Sequence, residues 1–202
     1  KYLSRIEQSG ERLLSLLNNL LDLSKLDVGK FPFNPRKHTL SNIIKTSIDD
    51  VSGTALERNI TIRPIGFEQG IVLDCDEEQV NQIMRNLIGN ALKFSEPNSE
   101  IDISLAVNEQ MAEIAVIDRG IGIPEQELEK IFAKFEQSSK TNSGAGGTGL
   151  GLAICREFVA LHQGTISASN NEYGGATILV RLPLEIDLPQ HLANEQQSIS
   201  IN

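Results

Sequence analysis

The sequence predicts a mixed α+β domain that is preceded by one long helix. Aliphatic residues recur at heptad spacing within residues 1–28, which indicates the helix. Large aliphatic residues occupy every second position from Ile101 to Val107, as in a half-buried strand. Asp76 and Gln79 have the spacing of a capping box at the start of a second long helix. Helices and strands are therefore both expected within the same 202 residues.

The N-terminal helix is expected to contact other helices. Ile6, Leu13 and Leu20 are spaced seven residues apart, and further leucines widen the apolar stripe. Such a stripe must be buried, most simply in a bundle with a second copy of the chain, and packing on its own domain is the alternative. We therefore predict a dimerisation helix at residues 1–29 and a proline-containing linker at residues 30–36.

The remaining elements are predicted from hydrophobic periodicity, caps and turn residues. They form one domain over residues 37–185, and residues 186–202 are polar and patternless, as in a tail or linker. In chain order we expect a helix from a Ser41 cap to about Arg58, strands at 60–65 and 71–74, a helix at Glu77–Phe94, a hairpin of strands at 101–107 and 111–118, a helix from the glycine-rich segment 144–151 to about His162, and strands at 165–169 and 177–182.

Composition argues against several classes of protein. With 27 acidic and 18 basic residues, the net charge of -9 argues against a nucleic-acid partner or an anionic membrane surface. No apolar run approaches the roughly 18 residues of a membrane span, so a cytoplasmic location is expected. Cys75 and Cys155 lack metal-binding spacing and are expected to be buried or idle thiols. Because the chain begins at Lys1 rather than Met, we expect a fragment of a longer protein, whose other parts can include a membrane anchor.

The second long helix has an unusual polar face. Five residues fall within about 40° of the face's centre on a helical wheel: Gln79, Gln82, Asn86, Asn90 and Lys93. A solvated face in so acidic a chain would favour Glu and Lys, whereas this one carries amides. Amide oxygens are hard ligands suited to Mg²⁺, and the lysine can reach a phosphate. A purely solvated face is the alternative interpretation.

Two glycine-containing segments favour ligand binding. An apolar strand ends in Asp118, which can accept a hydrogen bond from an exocyclic amine such as that of adenine, and Gly120 and Gly122 permit close approach of a ligand to the backbone. A simple turn is the alternative there. The run Gly144–Leu152 leads into an apolar helix, so its backbone N–H groups can form an anion-binding nest, with a flexible linker as the alternative.

Together and in this order, these segments resemble the ATP-binding domain of the sensor histidine kinases. That superfamily also contains gyrase, MutL-type and heat-shock chaperone ATPases. The resemblance covers about residues 1–185, and residues 16–30 resemble the second helix of the dimerisation and phosphoacceptor hairpin. The matching motifs are the N box at Asn86–Phe94, the first glycine box at Asp118–Gly122, the F box at Ile131–Phe135 and the second glycine box at Gly147–Leu152.

The resemblance implies a two-layer α/β sandwich, a mixed sheet against three helices, that binds ATP and Mg²⁺. Asn90 and Lys93 would be the catalytic residues: Asn90 would ligate Mg²⁺ and Lys93 would neutralise phosphate charge. Asn86 would contact metal or phosphate, and Asp118 would bind the N6 amine of adenine. The other implied nucleotide contacts are Gly120, Gly122 and Ile123 in the base pocket, Phe132 and Phe135 as anchors of a lid at about 137–147, and Gly147, Thr148, Gly149, Leu150 and Gly151 around the phosphates.

The resemblance also implies a reaction and partners. A sensor histidine kinase passes the γ-phosphoryl group of ATP to a histidine on a dimerisation helix, and then to an aspartate of a response regulator receiver domain. The histidines of this chain lie outside such a helical setting and are expected to have surface or capping roles: His38, His162 and His191. The acceptor helix is therefore expected upstream of Lys1, and this chain is expected to bind ATP as a homodimer without phosphorylating itself.

One position favours a kinase over a hydrolase. Hydrolytic members of the superfamily place a glutamate, the general base for water attack, four residues before the metal-binding asparagine. Asn86 occupies that position here, and an amide has no useful basicity. An ATP-hydrolysing relative and a nucleotide-gated dimerisation module that binds ATP without transferring it are the alternatives.

Overall fold

The computed structural model describes residues 2–27, 31–141 and 148–187. Gly147, most of the predicted lid and the chain after Asp187, which includes His191, lie outside the described residues. The helices are α1 (Tyr2–Asp27), α2 (Leu40–Glu57), α3 (Glu77–Phe94) and α4 (Gly151–Leu161), and the strands are β1 (Arg36–Thr39), β2 (Thr61–Ile65), β3 (Val72–Cys75), β4 (Glu100–Asn108), β5 (Met111–Ile117), β6 (Thr165–Asn170) and β7 (Ala176–Pro183).

Five strands form a mixed sheet in the order β2-β4-β5-β7-β6. β2 runs parallel to β4, and the other neighbouring strands are antiparallel. Burial alternates along β5 and β7 because every second side chain faces the layer of α2, α3 and α4. The predicted two-layer α+β sandwich is thus confirmed. β1 and β3 pair separately as a small antiparallel sheet, a pairing that the sequence does not predict.

The apolar face of α3 packs into the core as predicted. Its core residues are almost fully buried: Val80, Ile83, Leu87 and Ala91. Phe94, expected on the same face, is only half-buried, because it is the last residue of the helix and borders a cavity. Cys75 and Cys155 are buried thiols, and burial raises the pKa of each to about 12.

α1 is a helix as predicted, but its apolar stripe is only partly covered. Leu23 is 4% exposed, whereas Leu13 is 68% exposed. The amide of Gln82 on α3 donates a hydrogen bond to the carboxylate of Asp22 at 3.1 Å. One end of the stripe therefore packs on the domain while the other stays open. No helix in the described part of the chain is long and apolar enough to cross a membrane.

Two predicted caps differ from the structure. α2 begins at Leu40 after Thr39, and Ser41 is buried inside the first turn, so Ser41 is not the cap. At α3, the carboxylate of Asp76 accepts a hydrogen bond from the Gln79 N–H at 3.1 Å, as predicted. The Gln79 side chain does not close the box, because the Asp76 N–H donates to His162 instead, and the Gln79 Nε2 donates to the Pro32 carbonyl at 2.9 Å.

His162 supplies the second half of that cap. Its Nε2 accepts a hydrogen bond from the Asp76 N–H at 3.0 Å, and its Nδ1 lies 2.7 Å from the Phe158 carbonyl. A backbone N–H only donates, so Nε2 carries no proton and the ring is the neutral Nδ1–H form. The imidazole is fully buried, and burial lowers its pKa. Of the two expected roles, capping is confirmed and a surface position is wrong.

Candidate functional site

A cavity of about 530 Å³ opens between α3, the segment that follows β5 and the N-terminus of α4. Leu87 and Val116 supply part of its apolar lining. Most of the predicted site residues line it, and they come from all three sequence segments: Asn86, Asn90, Lys93, Asp118, Gly122, Ile123, Thr148, Gly149 and Gly151. Segments that are distant in the chain therefore meet at one place.

α3 contributes a polar wall to this cavity. Asn86, Asn90 and Lys93 share one helix face because they are spaced by four and three residues. Burial of the adjacent apolar face fixes the rotation of the helix, so the wall faces the cavity. The Asn86 Nδ2 also donates to the Gly151 carbonyl at 3.4 Å, which links α3 to α4. The Lys93 ammonium lies 4.7 Å from the centre of the Phe94 ring.

Asp118 lines the cavity at the end of β5 and is 8% exposed. Its Oδ1 accepts hydrogen bonds from the N–H groups of Gly120 at 2.8 Å and Ala176 at 3.1 Å. Burial raises the pKa of this carboxyl, and the two bonds oppose the rise. Within the described residues both bonds use Oδ1, so Oδ2 is the oxygen available to a donor in the cavity.

Two predicted glycines act through close backbone contacts. A Cβ on Gly120 would collide with the Phe94 carbonyl, and Gly120 forms an isolated β-bridge with Ser95. Gly149 has a φ of +70°, and a Cβ there would lie 2.8 Å from the carbonyl carbon of Phe135. Gly120 thus joins the end of α3 to the end of β5, whereas Gly149 lines the cavity itself.

The remaining predicted residues lie beside the cavity rather than in its lining. Phe132 and Leu150 are buried in the core. The Phe135 side chain is 65% exposed, and its N–H donates to the Gly149 carbonyl at 2.9 Å. These residues therefore connect the F box and the second glycine box to the core and to each other.

The structure adds lining residues that sequence analysis missed. Leu16 and Asn19 reach the cavity from α1, and Glu136 reaches it from the segment after the F box. The neighbouring Ser138, named only within the predicted lid, donates to the Glu127 carboxylate at 2.7 Å. No periodicity relates these residues to the motifs, so the sequence contains no local signal for them.

The residues present fit a magnesium ion held together with a phosphate ligand. Mg²⁺ prefers oxygen ligands and commonly takes only one or two from the protein. Asn86 and Asn90 place amide groups on the cavity wall. The described residues contain no group of three or more His, Cys, Asp or Glu side chains that could hold a metal. An ion at this wall would therefore share the two amides with phosphate oxygens.

The fold and this cavity define a class of nucleotide-binding ATPase domain. The family model for histidine kinase-, DNA gyrase B- and HSP90-like ATPases matches residues 75–186. The chain belongs to this family.

Within the family, this chain is similar to sensor histidine kinases. It is 35% identical over 199 residues to the sensor histidine kinase TmoS of Ectopseudomonas mendocina, a match that covers 98% of this chain and 20% of TmoS. The chain thus spans about a fifth of that protein.

Solved histidine kinases share the fold. Full-length ShkA in complex with AMPPNP matches with a TM-score of 0.79 at 24% identity, over 93% of this chain and 39% of that one. ThkA in complex with the response regulator TrrA matches with a TM-score of 0.75 at 23% identity, over 91% and 51% of the two chains.

Proposed function

We propose that the chain binds Mg-ATP and transfers the γ-phosphoryl group to a histidine supplied by a dimerisation helix. One observation carries this proposal. A single cavity joins the amide and ammonium wall of α3 to the carboxylate of Asp118 and to the glycine backbone at the start of α4. These groups complement a metal-bound polyphosphate at one side and an amine-bearing base at the other.

In the proposed complex the adenine lies at Asp118 and the phosphates lie between α3 and α4. Oδ2 of Asp118 accepts a hydrogen bond from the N6 amine, and Gly122 and Ile123 border the base. The phosphates meet the Lys93 ammonium and the backbone N–H groups before α4, where the helix dipole favours an anion. The AMPPNP bound to ShkA, a protein of the same fold, supports a nucleotide as the ligand.

The proposed chemistry is an in-line phosphoryl transfer. An unprotonated imidazole nitrogen of the acceptor attacks the γ-phosphorus, the bond from phosphorus to the β–γ bridging oxygen breaks, and ADP leaves. Lys93 and the backbone N–H groups position the phosphates and neutralise their charge, which accounts for most of catalysis in such a transfer. Asn90, with Asn86 beside it, would hold Mg²⁺, which neutralises phosphate charge when bound.

The described histidines are not placed to accept the phosphoryl group. His38 on β1 lies 3.6 Å from the Glu77 carboxylate, and His162 is buried in the core. Neither lines the 530 Å³ cavity. We therefore assign the acceptor to another helix of the dimerisation hairpin. A receiver domain would take the phosphoryl group onward, as the complex of ThkA with a response regulator supports.

α1 is the proposed dimerisation surface. Leu13, Leu14 and Leu17 are more than half exposed, although Leu23 packs on the domain. Burial of this stripe against a second copy would remove apolar surface from water. Sedimentation of the chain is expected to show a concentration-dependent dimer, and a strict monomer at high concentration would contradict this assignment.

Phosphotransfer to a separate acceptor tests the main proposal. The chain is mixed with γ-labelled ATP, Mg²⁺ and a helical hairpin that carries an acceptor histidine. Acid-labile label on the hairpin is the expected result. Stoichiometric ATP binding without transfer, also with the native hairpin restored, would favour a nucleotide-gated dimerisation module instead.

ATP hydrolysis is the second candidate function because one carboxylate other than Asp118 lines the cavity. Glu136 could act as a general base for water where Asn86 cannot. If hydrolysis is the function, Glu136→Gln will lower the rate of phosphate release by about 100-fold. If the chain is a kinase, the variant will keep its transfer to the hairpin.

A further inference from the structure

The segment from Asp118 to Ile123 has no regular secondary structure, although four of its residues line the cavity. Within the described residues, its backbone contacts with neighbouring elements include the hydrogen bond from the Asp118 N–H to the Ala176 carbonyl at 2.9 Å and the bridge between Gly120 and Ser95. Backbone groups near a cavity still need hydrogen-bond partners to hold one position. Other elements must therefore fix this segment.

The end of β6 holds the segment at Ile123. Oδ1 of Asn170 accepts a hydrogen bond from the Ile123 N–H at 2.8 Å, and Nδ2 of the same side chain donates to the Ile123 carbonyl at 2.7 Å. One side-chain amide thus pairs with both backbone groups of one residue, as a neighbouring strand would. Nδ2 also lies 3.1 Å from a carboxylate oxygen of Glu125.

The next residue holds the other end of the segment. Nδ2 of Asn171 donates to the Asp118 carbonyl at 2.9 Å and to the Ala176 carbonyl at 3.0 Å. Its Oδ1 accepts from the Tyr173 N–H at 3.0 Å, which closes the turn between β6 and β7. The two asparagines therefore hold Asp118 and Ile123 at a defined separation, with the cavity-lining residues between them.

The backbone of the segment from Asp118 to Ile123 is in direct contact with the backbone of the turn between β6 and β7. Gly122 has a φ of +65°, and a Cβ there would lie 2.8 Å from the carbonyl oxygen of Gly174. A Cβ on Gly175 would collide with the carbonyl oxygen of Asp118. Larger residues at either glycine would push the turn away from the segment. The contact is therefore close enough to transmit any shift of the turn to the cavity.

We propose that Asn170 is a positioning residue that sets the base selectivity of the nucleotide site. This inference rests on the proposed function, in which Asp118 binds the adenine amine. Asn170 fixes Ile123, Asn171 fixes Asp118, and the distance between these two lining residues sets the space for a base. Asparagine is required at 170 because the pairing uses one donor and one acceptor, whereas aspartate lacks the donor and would place a carboxylate beside Glu125.

Calorimetry with ATP and with ITP, which has an oxygen in place of the N6 amine, tests this inference. In Asn170→Ala we expect the Kd of Mg-ATP to rise about tenfold, because Ile123 is no longer held at a fixed separation from Asp118. The Kd of Mg-ITP is expected to change less than about threefold, because ITP lacks the amine whose fit to Asp118 depends on the position of Ile123. Asn108→Ala, at the opposite end of the sheet, is the matched control and should change neither.

Equal weakening of ATP and ITP, or unchanged ATP affinity in a folded variant, would overturn the inference. If Asn170→Ala does not fold, amide exchange in the unaltered chain decides instead. The Ile123 N–H is expected to exchange more slowly than the Ile121 N–H, and equal rates would overturn the inference. Failure of the unaltered chain to bind ATP would overturn the proposed function as well, so the two failures are distinguishable.

Discussion

The two halves of the polar face of α3 are used in different ways. In the first half, Gln79 is 2% exposed and donates to the Pro32 carbonyl at 2.9 Å, and Gln82 donates to the Asp22 carboxylate at 3.1 Å. In the second half, Asn90 and Lys93 line the 530 Å³ cavity. Polar side chains on one helix face thus serve internal contacts at one end and line the candidate site at the other.

The difference follows from what lies opposite each half. α1 and the segment at 31–34 supply carbonyl and carboxylate groups to the first half, so its amides are used within the protein. The second half faces glycine-containing segments that leave open space. Asn86 lies at the boundary, since it lines both the 530 Å³ cavity and a second cavity of about 1140 Å³ between α1 and α3, which Gln79 and Gln82 also line. The two halves therefore differ in the groups that lie opposite them and not in the amount of open space alone.

The largest effect is expected from Asn90→Ala. Within the proposed function, this variant removes the amide oxygen assigned to Mg²⁺, and no neighbouring carboxylate on α3 replaces it. We expect the Kd of ATP in the presence of Mg²⁺ to rise at least about 100-fold. Isothermal titration with and without Mg²⁺ measures the change.

Gln82→Ala is the matched control from the first half of the face. It removes an amide that contacts Asp22 and does not line the 530 Å³ cavity, so the Kd of Mg-ATP should stay within about twofold of the unaltered chain. A strong loss of affinity in Gln82→Ala, or none in Asn90→Ala, would contradict the division of the face into two halves.

Lys93→Ala is expected to have a smaller effect on binding. Its ammonium is assigned to phosphate charge, and loss of one charge-assisted contact raises the Kd of ATP by about tenfold. Adenosine lacks phosphates, so its Kd should not change. A competition titration with both ligands checks this, and equal weakening of adenosine would show that Lys93 supports the fold of the cavity instead.

Local signals explain why most elements are predictable from the sequence. The bounds predicted for α3 agree with the structure because a cap, an apolar stripe and a following break all lie within that segment. The prediction of a Ser41 cap is wrong because Ser41 is buried in the first turn of α2. Its burial depends on tertiary packing, which the local sequence does not show. The pairing of β1 with β3 joins distant segments, so alternation within either strand does not reveal it.

The candidate site is predictable only where its residues lie in the motifs. Asn90, Asp118 and Gly149 are found because type and spacing indicate chemistry. The amide of Asn170 bonds a residue 47 positions away, and an exposed asparagine at the end of a strand has an ordinary turn interpretation in the sequence. The positioning role proposed for Asn170 therefore has no signal in the sequence.

Gln79→Leu tests the first half of the face through stability. The variant leaves the Pro32 carbonyl without its donor, and we expect a loss of about 1 kcal/mol in the free energy of unfolding. Nucleotide affinity should not change, because Gln79 does not line the 530 Å³ cavity. Urea denaturation and calorimetry on the same sample measure both. A higher Kd for the nucleotide without a loss of stability would contradict the assignment of the first half to internal contacts.

The smallest effect is expected from protonation of His162, which caps the first half of α3. Its ring forms hydrogen bonds with the Asp76 N–H and the Phe158 carbonyl. The Phe33 ring packs against the imidazole, and the Asp76 carboxylate is a charged group beside it. Burial holds the pKa of His162 below its ordinary value of 6.5, so the unfolded chain binds this proton more readily than the folded chain. The contribution of the neutral His162 ring to stability is complete above about pH 6.5 and is lost as the pH falls through that value toward the lowered pKa.

Urea denaturation between about pH 8 and about pH 5 measures the loss of stability. His162→Phe, which keeps an aromatic ring against Phe33, should remove this part of the pH dependence. An identical pH profile in His162→Phe would show that the buried cap of α3 does not titrate, and the lower stability at acid pH would then belong to other groups.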